Sequence, residues 1–481
     1  MSRKIESFLW LILGAGLLVF MGWRWNVPAA VWLAPIFLIR FFRLQERWVT
    51  TLWAVPLMTL ALFINITGSW DFPLAAEVGI AMLRAAPLLA ALYLDRTLVR
   101  RLPPVFGTLI YPAIYVIMDF ALSLTPLGTV FSAATTQFGH TAFIQLAAIT
   151  GIWGLAFVMG WCAATLNLLW EKKFEIRQVT GPGLVLIVTL TVTLLIGGLR
   201  LSTSAAPTST VKVAGITVPH QRDYWGEIID RGTPPDAVQR YAAELVAVED
   251  QLFARSTQAA QAGAKIVFWS EANALLSPEQ VDDFLARAQA FAKEYQVYFM
   301  PAFVIFQYDH ATADNQLTMI APSGEVAYSY TKTMSWYPTR SDGILHVVET
   351  PYGRLSSAIC FDMDFPALIQ QAAQLKTDIM LVPAYDWEPI KPYHTEVGLF
   401  RAVENGFSIV RQVNEGTSMA VDYRGQLLAQ QDFFTTAEPT MLVDVPTQGV
   451  ATFYGGLGNW FVWVCGGLSV ALLVLGLIRK R

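Results

Sequence analysis

The stretch SSAICFDMDFP, residues 356–366, ends an apolar run on Cys360, follows it with two acids and stops at Pro366. With the residues before it, RLSSAIC (354–360) reads as a strand that closes on a reactive side chain. Other segments share the plan. KIVFWSE (265–271) is a strand ending at Glu271, and NQLTMIAPSGEVAYSYTK (315–332) is a hairpin that turns at Ser323-Gly324 and ends at Lys332. DIMLVPAYDW (378–387) repeats the pattern once more. TVKVAGITVP (210–219) reads as a buried strand and VYFMPAFVIFQ (297–307) as another, with amphipathic helices expected over 237–264 and 281–296. Strands mixed with packed helices imply an α/β or α+β sandwich.

Polar residues at strand ends can converge on one edge of a sheet. A cysteine is mostly protonated at neutral pH and needs a base or a nearby cation. Glu271 can take its proton. Lys332 can stabilise a thiolate and the oxyanion formed when a carbonyl is attacked, with the backbone N–H of Phe361 as a second donor. That set predicts acyl transfer through a Cys360 thioester. Of the five histidines (His140, His220, His310, His346 and His394), none is strand-terminal within such a set, so a Cys/His scheme is less favoured. Taken singly, each residue has an ordinary reading: Cys360 as a small buried hydrophobe, Glu271 as a helix cap, Lys332 as a strand-end charge. Only their order and context raise them above it.

Outside this polar region the chain is apolar. Charged residues make up 15% of its 481 residues, against about 25% in an average soluble domain. Mean hydropathy is +0.44. Apolar runs at about 7–23, 28–42, 50–67, 76–94, 104–122, 141–170 and 181–199 predict seven membrane spans, and 460–478 an eighth. More spans follow the first directly, so it does not read as a cleaved signal peptide. Basic residues alternate between loops. Arg3 and Lys4 precede the first span; Arg40, Arg43 and Arg47, then Arg96, Arg100 and Arg101, then Lys172, Lys173 and Arg177 fill every second loop. Basic loops face the cytoplasm, which predicts cytoplasmic termini and an extracytoplasmic polar domain. The expected division is 1–199 membrane region, 200–455 catalytic domain, and 456–481 last span with a basic tail. Glu77 and Arg84 share a face of the fourth span, and Asp119 lies in the fifth; each is either functional or a link between spans.

A net charge of −4 without a run of five or six basic residues gives no reason to expect a nucleic-acid partner. Three cysteines, with Cys162 and Cys465 in apolar runs, do not form a disulfide framework. No His/Cys/Asp spacing suggests a metal, and no phosphate-binding glycine motif is present, so neither metal nor cofactor is expected.

The order Glu, Lys, Cys, each after an apolar strand, resembles the nitrilase (carbon–nitrogen hydrolase) superfamily. IVFWSEANALL is similar to its glutamate motif, YTK (330–332) to its lysine motif and AICFDMDFP to its cysteine elbow; 399–428 resembles the region that follows. Membrane spans on both sides resemble the apolipoprotein N-acyltransferase family, as do QLAAITGIWGLAFVMGWCAATLNLL (145–169), Gln137, Asp119 and TFYGGLGNW (452–460). The resemblance implies a polytopic helical bundle of about eight spans joined to an extracytoplasmic nitrilase-like α-β-β-α sandwich in the cell (inner) membrane. It implies that Cys360 takes a fatty acyl chain from a membrane phospholipid and passes it to the N-terminal amine of a lipid-modified lipoprotein. Glu271 would be the base, and Lys332 with the Phe361 amide the oxyanion hole. Asp362 would position these groups, and Trp387, just past VPAYD, would line or gate the substrate pocket. A monomer is expected.

The pattern departs from the family at Ser270, where proline is common, at Phe361-Asp362, where Tyr-Glu is frequent, and at Arg340, near the place of a further acid. These changes bear on donor and acceptor rather than on the nucleophile. Two other readings stay open: a membrane-anchored amidase that uses water in the second step, and a non-catalytic scaffold.

Overall fold

Isolated apolar stretches of four to seven residues become strands only where neighbours cover both faces, and here two sheets do so. The computed structural model describes residues 3–70, 72–203, 209–219, 235–306, 313–335 and 339–478. His220, His310 and the basic tail at 479–481 lie outside the described residues. The chain divides into two compact units, residues 1–204 with 457–481, and residues 205–456.

Fourteen strands are described in the second unit: β1 (Thr210–Ile216), β2 (Ile266–Trp269), β3 (Ala274–Leu276), β4 (Tyr298–Met300), β5 (Ala302–Phe306), β6 (Ala313–Ile320), β7 (Val326–Thr331), β8 (Val347–Thr350), β9 (Gly353–Ser357), β10 (Ile379–Tyr385), β11 (Ser408–Asn414), β12 (Thr417–Val421), β13 (Leu427–Asp432) and β14 (Thr440–Pro446). One sheet runs β14-β1-β2-β4-β6-β5-β3, with β7 on β6; the other runs β13-β12-β11-β10-β9-β8. The central pairs β1–β2, β2–β4, β9–β10 and β10–β11 are parallel, and the buried strands β2 (IVFW), β4 (YFM) and β10 (IMLVPAY) are accordingly almost wholly apolar. The sheets face each other; Gln412 of β11 donates to the Thr217 hydroxyl beside β1 at 2.8 Å. On the outer face of the first sheet the helices Pro235–Gln261 and Val281–Tyr295 bury Phe253, Phe284 and Phe291 against Trp269, Phe299 and Phe303 in edge-to-face and tilted ring pairs. Helices Pro366–Gln374 and Tyr393–Asn405 cover the second sheet. The result is an α-β-β-α sandwich.

Two expectations need correction here. The run at 297–307 is two strands, broken at Pro301, which has no N–H for a ladder. The run ending at Cys360 stops pairing at Ser357, and Cys360 opens a tight 3₁₀ turn, Cys360–Asp364.

Among the described residues of the helical unit, six helices are long and apolar enough to cross a membrane: Trp48–Ile66, Leu74–Arg101, Pro104–Ser123, Ile152–Glu171, Thr180–Ser202 and Trp460–Ile478. Ile5–Leu18 is apolar but shorter. The run at 141–170 is not one continuous helix. Short helices Thr141–Ile144 and Ala147–Thr150 stop at Gly151, whose φ of 66° ends the turn before Ile152–Glu171 begins. Polar groups tie the bundle together. Arg84 donates to Asn65 Oδ1 at 2.8 Å and lies over the Phe131 ring, and Asp119 accepts from Ser132 at 2.7 Å. Arg84 and Asp119, two of the three charges suspected from sequence, therefore link neighbouring segments. A fork-to-fork pair of Arg43 with Asp95, at 2.7 and 2.8 Å, went unread in the sequence because the partners lie 52 positions apart.

Candidate active site

The parallel strands β2, β9 and β10 end toward one side of the sandwich, and Glu271 and Cys360 lie just past the ends of β2 and β9. In open parallel sheets, sites form beyond the carboxyl ends of strands for this topological reason. Glu271 lies two residues after β2 and is buried, 2% exposed. Its Oε1 accepts from Lys332 Nζ and Asn315 Nδ2, each at 2.6 Å, and its Oε2 accepts from the Tyr385 N–H at 2.9 Å. Lys332 follows β7, and its backbone N–H extends the hairpin by bonding Asn315 O at 2.9 Å. Burial acts to pull the Lys332 ammonium down, but Glu271 and then the Cys360 sulfur outweigh it and hold the ammonium above its ordinary value.

Cys360 has a φ of 47°, and Ala272, directly after Glu271, has 54°. Non-glycine residues rarely adopt this region, and strain of this kind, about 1–3 kcal/mol per residue, gathers at functional sites. Two neighbours hold the cysteine turn. Arg411 Nη1 donates to the Cys360 carbonyl at 3.3 Å, and the Ile359 N–H donates to Asp362 Oδ2 at 3.0 Å. The Cys360 thiol donates to the Tyr385 carbonyl at 3.5 Å. The N–H and C=O of one strand residue point the same way. Tyr385 thus bonds the Glu271 carboxylate with one group and the sulfur with the other, and both lie on one side of the end of β10. Burial first, then the Glu271 carboxylate, push the thiol well above its ordinary value, while Lys332 and Arg411 pull it down. To act as a nucleophile this thiol would need a base to take its proton.

Asp362 is fully buried and accepts four bonds: Tyr330 OH at 2.7 Å, Ile359 N–H at 3.0 Å, Thr333 N–H at 3.2 Å and Met334 N–H at 2.7 Å. It pins the backbone after Lys332 to the cysteine turn. Burial raises it to about 6, with the Met334 N–H and Lys332 opposing. Phe361 packs its ring edge-on against Phe365. Trp387 is half-buried, next in sequence to Asp386.

Sequence reasoning passed over a second buried cluster against the sulfur. His394 Nδ1 lies 2.7 Å from Asp386 Oδ1, and its Nε2 lies 3.0 Å from Asp364 Oδ2. Arg411 Nη2 reaches Asp386 Oδ1 at 3.0 Å and the Cys360 sulfur at 3.8 Å. Burial opposes it, yet the two carboxylates raise His394 to about 9; burial likewise opposes the Asp386 carboxylate, but His394 and Arg411 lower it to about 2. Cys360, Asp386 and His394 offer atoms within 4.8 Å of one another, a proximity their sequence spacing does not show. That corrects the expectation of no metal-capable Cys/His/Asp grouping: the end of β10 and the following helix fold back over the cysteine. As a metal site the fit is poor, because both imidazole nitrogens face carboxylates and Arg411 already supplies the positive charge. No local pattern marked this cluster, since His394 lies on a helix and Arg411 inside a buried strand.

The departures have local causes. The Ser270 N–H donates to Ile216 O at 2.9 Å, a bond proline cannot make. Arg340 points outward, its side chain 76% exposed and 3.5 Å from Asp314.

Residues 233–453 match the carbon-nitrogen hydrolase family. Among curated relatives, the apolipoprotein N-acyltransferase of Geobacter metallireducens is 23% identical over 407 residues, 77% of this chain and 74% of the relative. That of Shewanella oneidensis is 22% identical over 78% of this chain and 74% of its own length. That of Photobacterium profundum is 29% identical over 190 residues, 37% of this chain and 36% of the relative. Among solved structures, an amidase from Nesterenkonia sp. aligns with 50% of this chain and 93% of its own, at 18% identity and a TM-score of 0.41.

Proposed function

We propose, from the premise that this chain belongs to the apolipoprotein N-acyltransferase family of carbon–nitrogen hydrolases, that it moves a fatty acyl chain from a phospholipid to the N-terminal amine of a lipid-modified lipoprotein. In the first half-reaction the Cys360 sulfur attacks the ester carbonyl and Glu271 takes the thiol proton. The C–S bond forms, the ester C–O bond breaks, and the leaving lysophospholipid oxygen receives the proton from Glu271. In the second, the amine attacks the thioester carbonyl, Glu271 takes a proton from the attacking nitrogen, the C–N bond of the amide forms as the C–S bond breaks, and the proton returns to sulfur. The Lys332 ammonium and the Phe361 N–H stabilise each tetrahedral oxyanion. Asp362 positions the lysine segment against the cysteine turn, and Trp387 lines the approach of the substrate. The basic loops face the cytoplasm and the catalytic unit lies on the extracytoplasmic side of the cell membrane.

One observation carries the reading: the Glu271 carboxylate and the Cys360 thiol are held by the N–H and C=O of the same residue, Tyr385, with the Lys332 ammonium on that carboxylate. The test is intact-protein mass spectrometry after incubation with phospholipid. Wild type, Cys162→Ala and Cys465→Ala gain an acyl mass, and Cys360→Ala does not. Loading of Cys360→Ala overturns the mechanism. With a lipopeptide acceptor, an acylated amine is expected; free fatty acid alone identifies a hydrolase.

A further inference from the structure

The alternating basic loops of the sequence do more than set topology, because three of them meet in one pocket. A cavity of about 320 Å³ opens among the ends of the helices Pro28–Leu44, Leu74–Leu98 and Ile152–Glu171 and is lined by Arg40, Arg43, Arg100 and Lys172, with Glu171 as the one acid in its lining. Arg43 is fixed by its two bonds to Asp95, which leave Nη1 only Glu171, at 3.5 Å. That is longer than an ordinary hydrogen bond. Arg100 Nη2 donates to the Arg43 carbonyl at 2.9 Å, bringing a second guanidinium beside the first. Arg40 stacks over the Trp170 ring. Four cations and one acid, Glu171, line the cavity. Leu102 and Leu168 give the pocket an apolar wall.

Cations on final helical turns are stabilised by the helix dipole, which explains why each is there singly. It does not explain a cavity that gathers four of them. Like charges repel, and a pocket of this volume that brings them together is stabilised by an anion.

We propose that this pocket binds a phosphate group, carried on an anionic lipid headgroup or free in solution, as a site built wholly from the helical unit and additional to the acyl chemistry. Basic pockets between membrane helices take such headgroups by charge and by the apolar wall that accepts the lipid's glycerol end.

The test uses the full chain in detergent and native mass spectrometry with phosphatidylglycerol, phosphatidylcholine and inorganic phosphate. Phosphatidylglycerol is expected to bind at least tenfold tighter than phosphatidylcholine. The double variant Arg100→Gln/Lys172→Gln should weaken it about 30-fold, each charge contributing about fivefold. Arg177→Gln, outside the pocket, should leave it unchanged. Acyl loading of Cys360 reports that each variant is folded; if the double variant is not, Lys172→Gln alone should show the fivefold loss. Displacement by millimolar inorganic phosphate assigns free phosphate as the ligand and keeps the anion site. Equal binding of both lipids with no phosphate binding overturns the proposal. So does a loss in Arg177→Gln matching that in the double variant.

Discussion

Replacing Glu271 with Gln should move two readouts in opposite directions. The carboxylate serves three donors, Lys332 Nζ and Asn315 Nδ2 on Oε1 and the Tyr385 N–H on Oε2. A glutamine amide has one acceptor oxygen, so in either orientation its NH₂ faces at least one of them. A buried donor left unsatisfied costs about 1–3 kcal/mol. The Lys332 ammonium also loses its counter-charge. Breaking a buried pair in this way costs about 3–5 kcal/mol, and the lower end applies because the lysine side chain keeps 15% exposure. Losing the base should slow acyl loading by about 10² to 10⁴, equal to about 3–5 kcal/mol of barrier. The bare thiol responds the other way. Burial remains, but the carboxylate that pushes the thiol up is gone, while Lys332 and Arg411 still favour the thiolate. The midpoint of Cys360 alkylation by iodoacetamide should therefore move to lower pH. Both readouts are taken by intact-protein mass spectrometry on a Cys162→Ala/Cys465→Ala background, where Cys360 is the sole thiol. Loading within about threefold of the parent, or an alkylation midpoint that moves up, refutes the reasoning.

Asp362 is raised to about 6, against about 3.9 for a free carboxyl, so the folded state binds its proton more tightly and the group favours folding less as pH rises from about 4 to 6. Activity should run the other way, with loading falling below about pH 6 as protonation weakens the Met334 and Thr333 bonds; Asp362→Asn should be slow at every pH and lack that limb, as single-turnover rates between pH 5 and 8 would show. His394, raised to about 9, contributes stability that is full below about pH 6.5 and is lost as pH rises through 9. The melting temperature should fall over that window in wild type, and His394→Gln should be less stable at pH 6 and flat across it. Ser270→Pro should destabilise by about 1–3 kcal/mol, since Ile216 O loses its donor, and a melting temperature equal to wild type would contradict that bond.

Much of the site was legible because its carriers sit at strand ends, a local pattern of apolar run followed by a polar stop. Glu271, Lys332 and Cys360 were named on that signal, and the structure brings Lys332 onto Glu271 and links Glu271 to Cys360 through Tyr385. Asp362 was suspected from its place after the cysteine, but its hold on Thr333 and Met334 depends on the hairpin lying beside the cysteine turn. Asn315, the Tyr385 backbone, Asp386, His394 and Arg411 were not readable. Arg411 sits inside a buried strand and His394 on a helix, where neither position carries a local mark of function.

The amino-acid order alone determined the apolar segments, the strand–helix alternation and the choice of Glu271, Lys332 and Cys360 as candidates, because each rests on hydrophobic period or on residue chemistry within a few positions. Tertiary structure alone decided where pairing stops short of the apolar run's end, as at Ser357, and which charges meet, as Arg43 with Asp95 and Arg411 with Asp386. A buried charge is tolerated only beside its partner, and the chain finds that partner through sheet register and helix packing, over separations that no local pattern encodes.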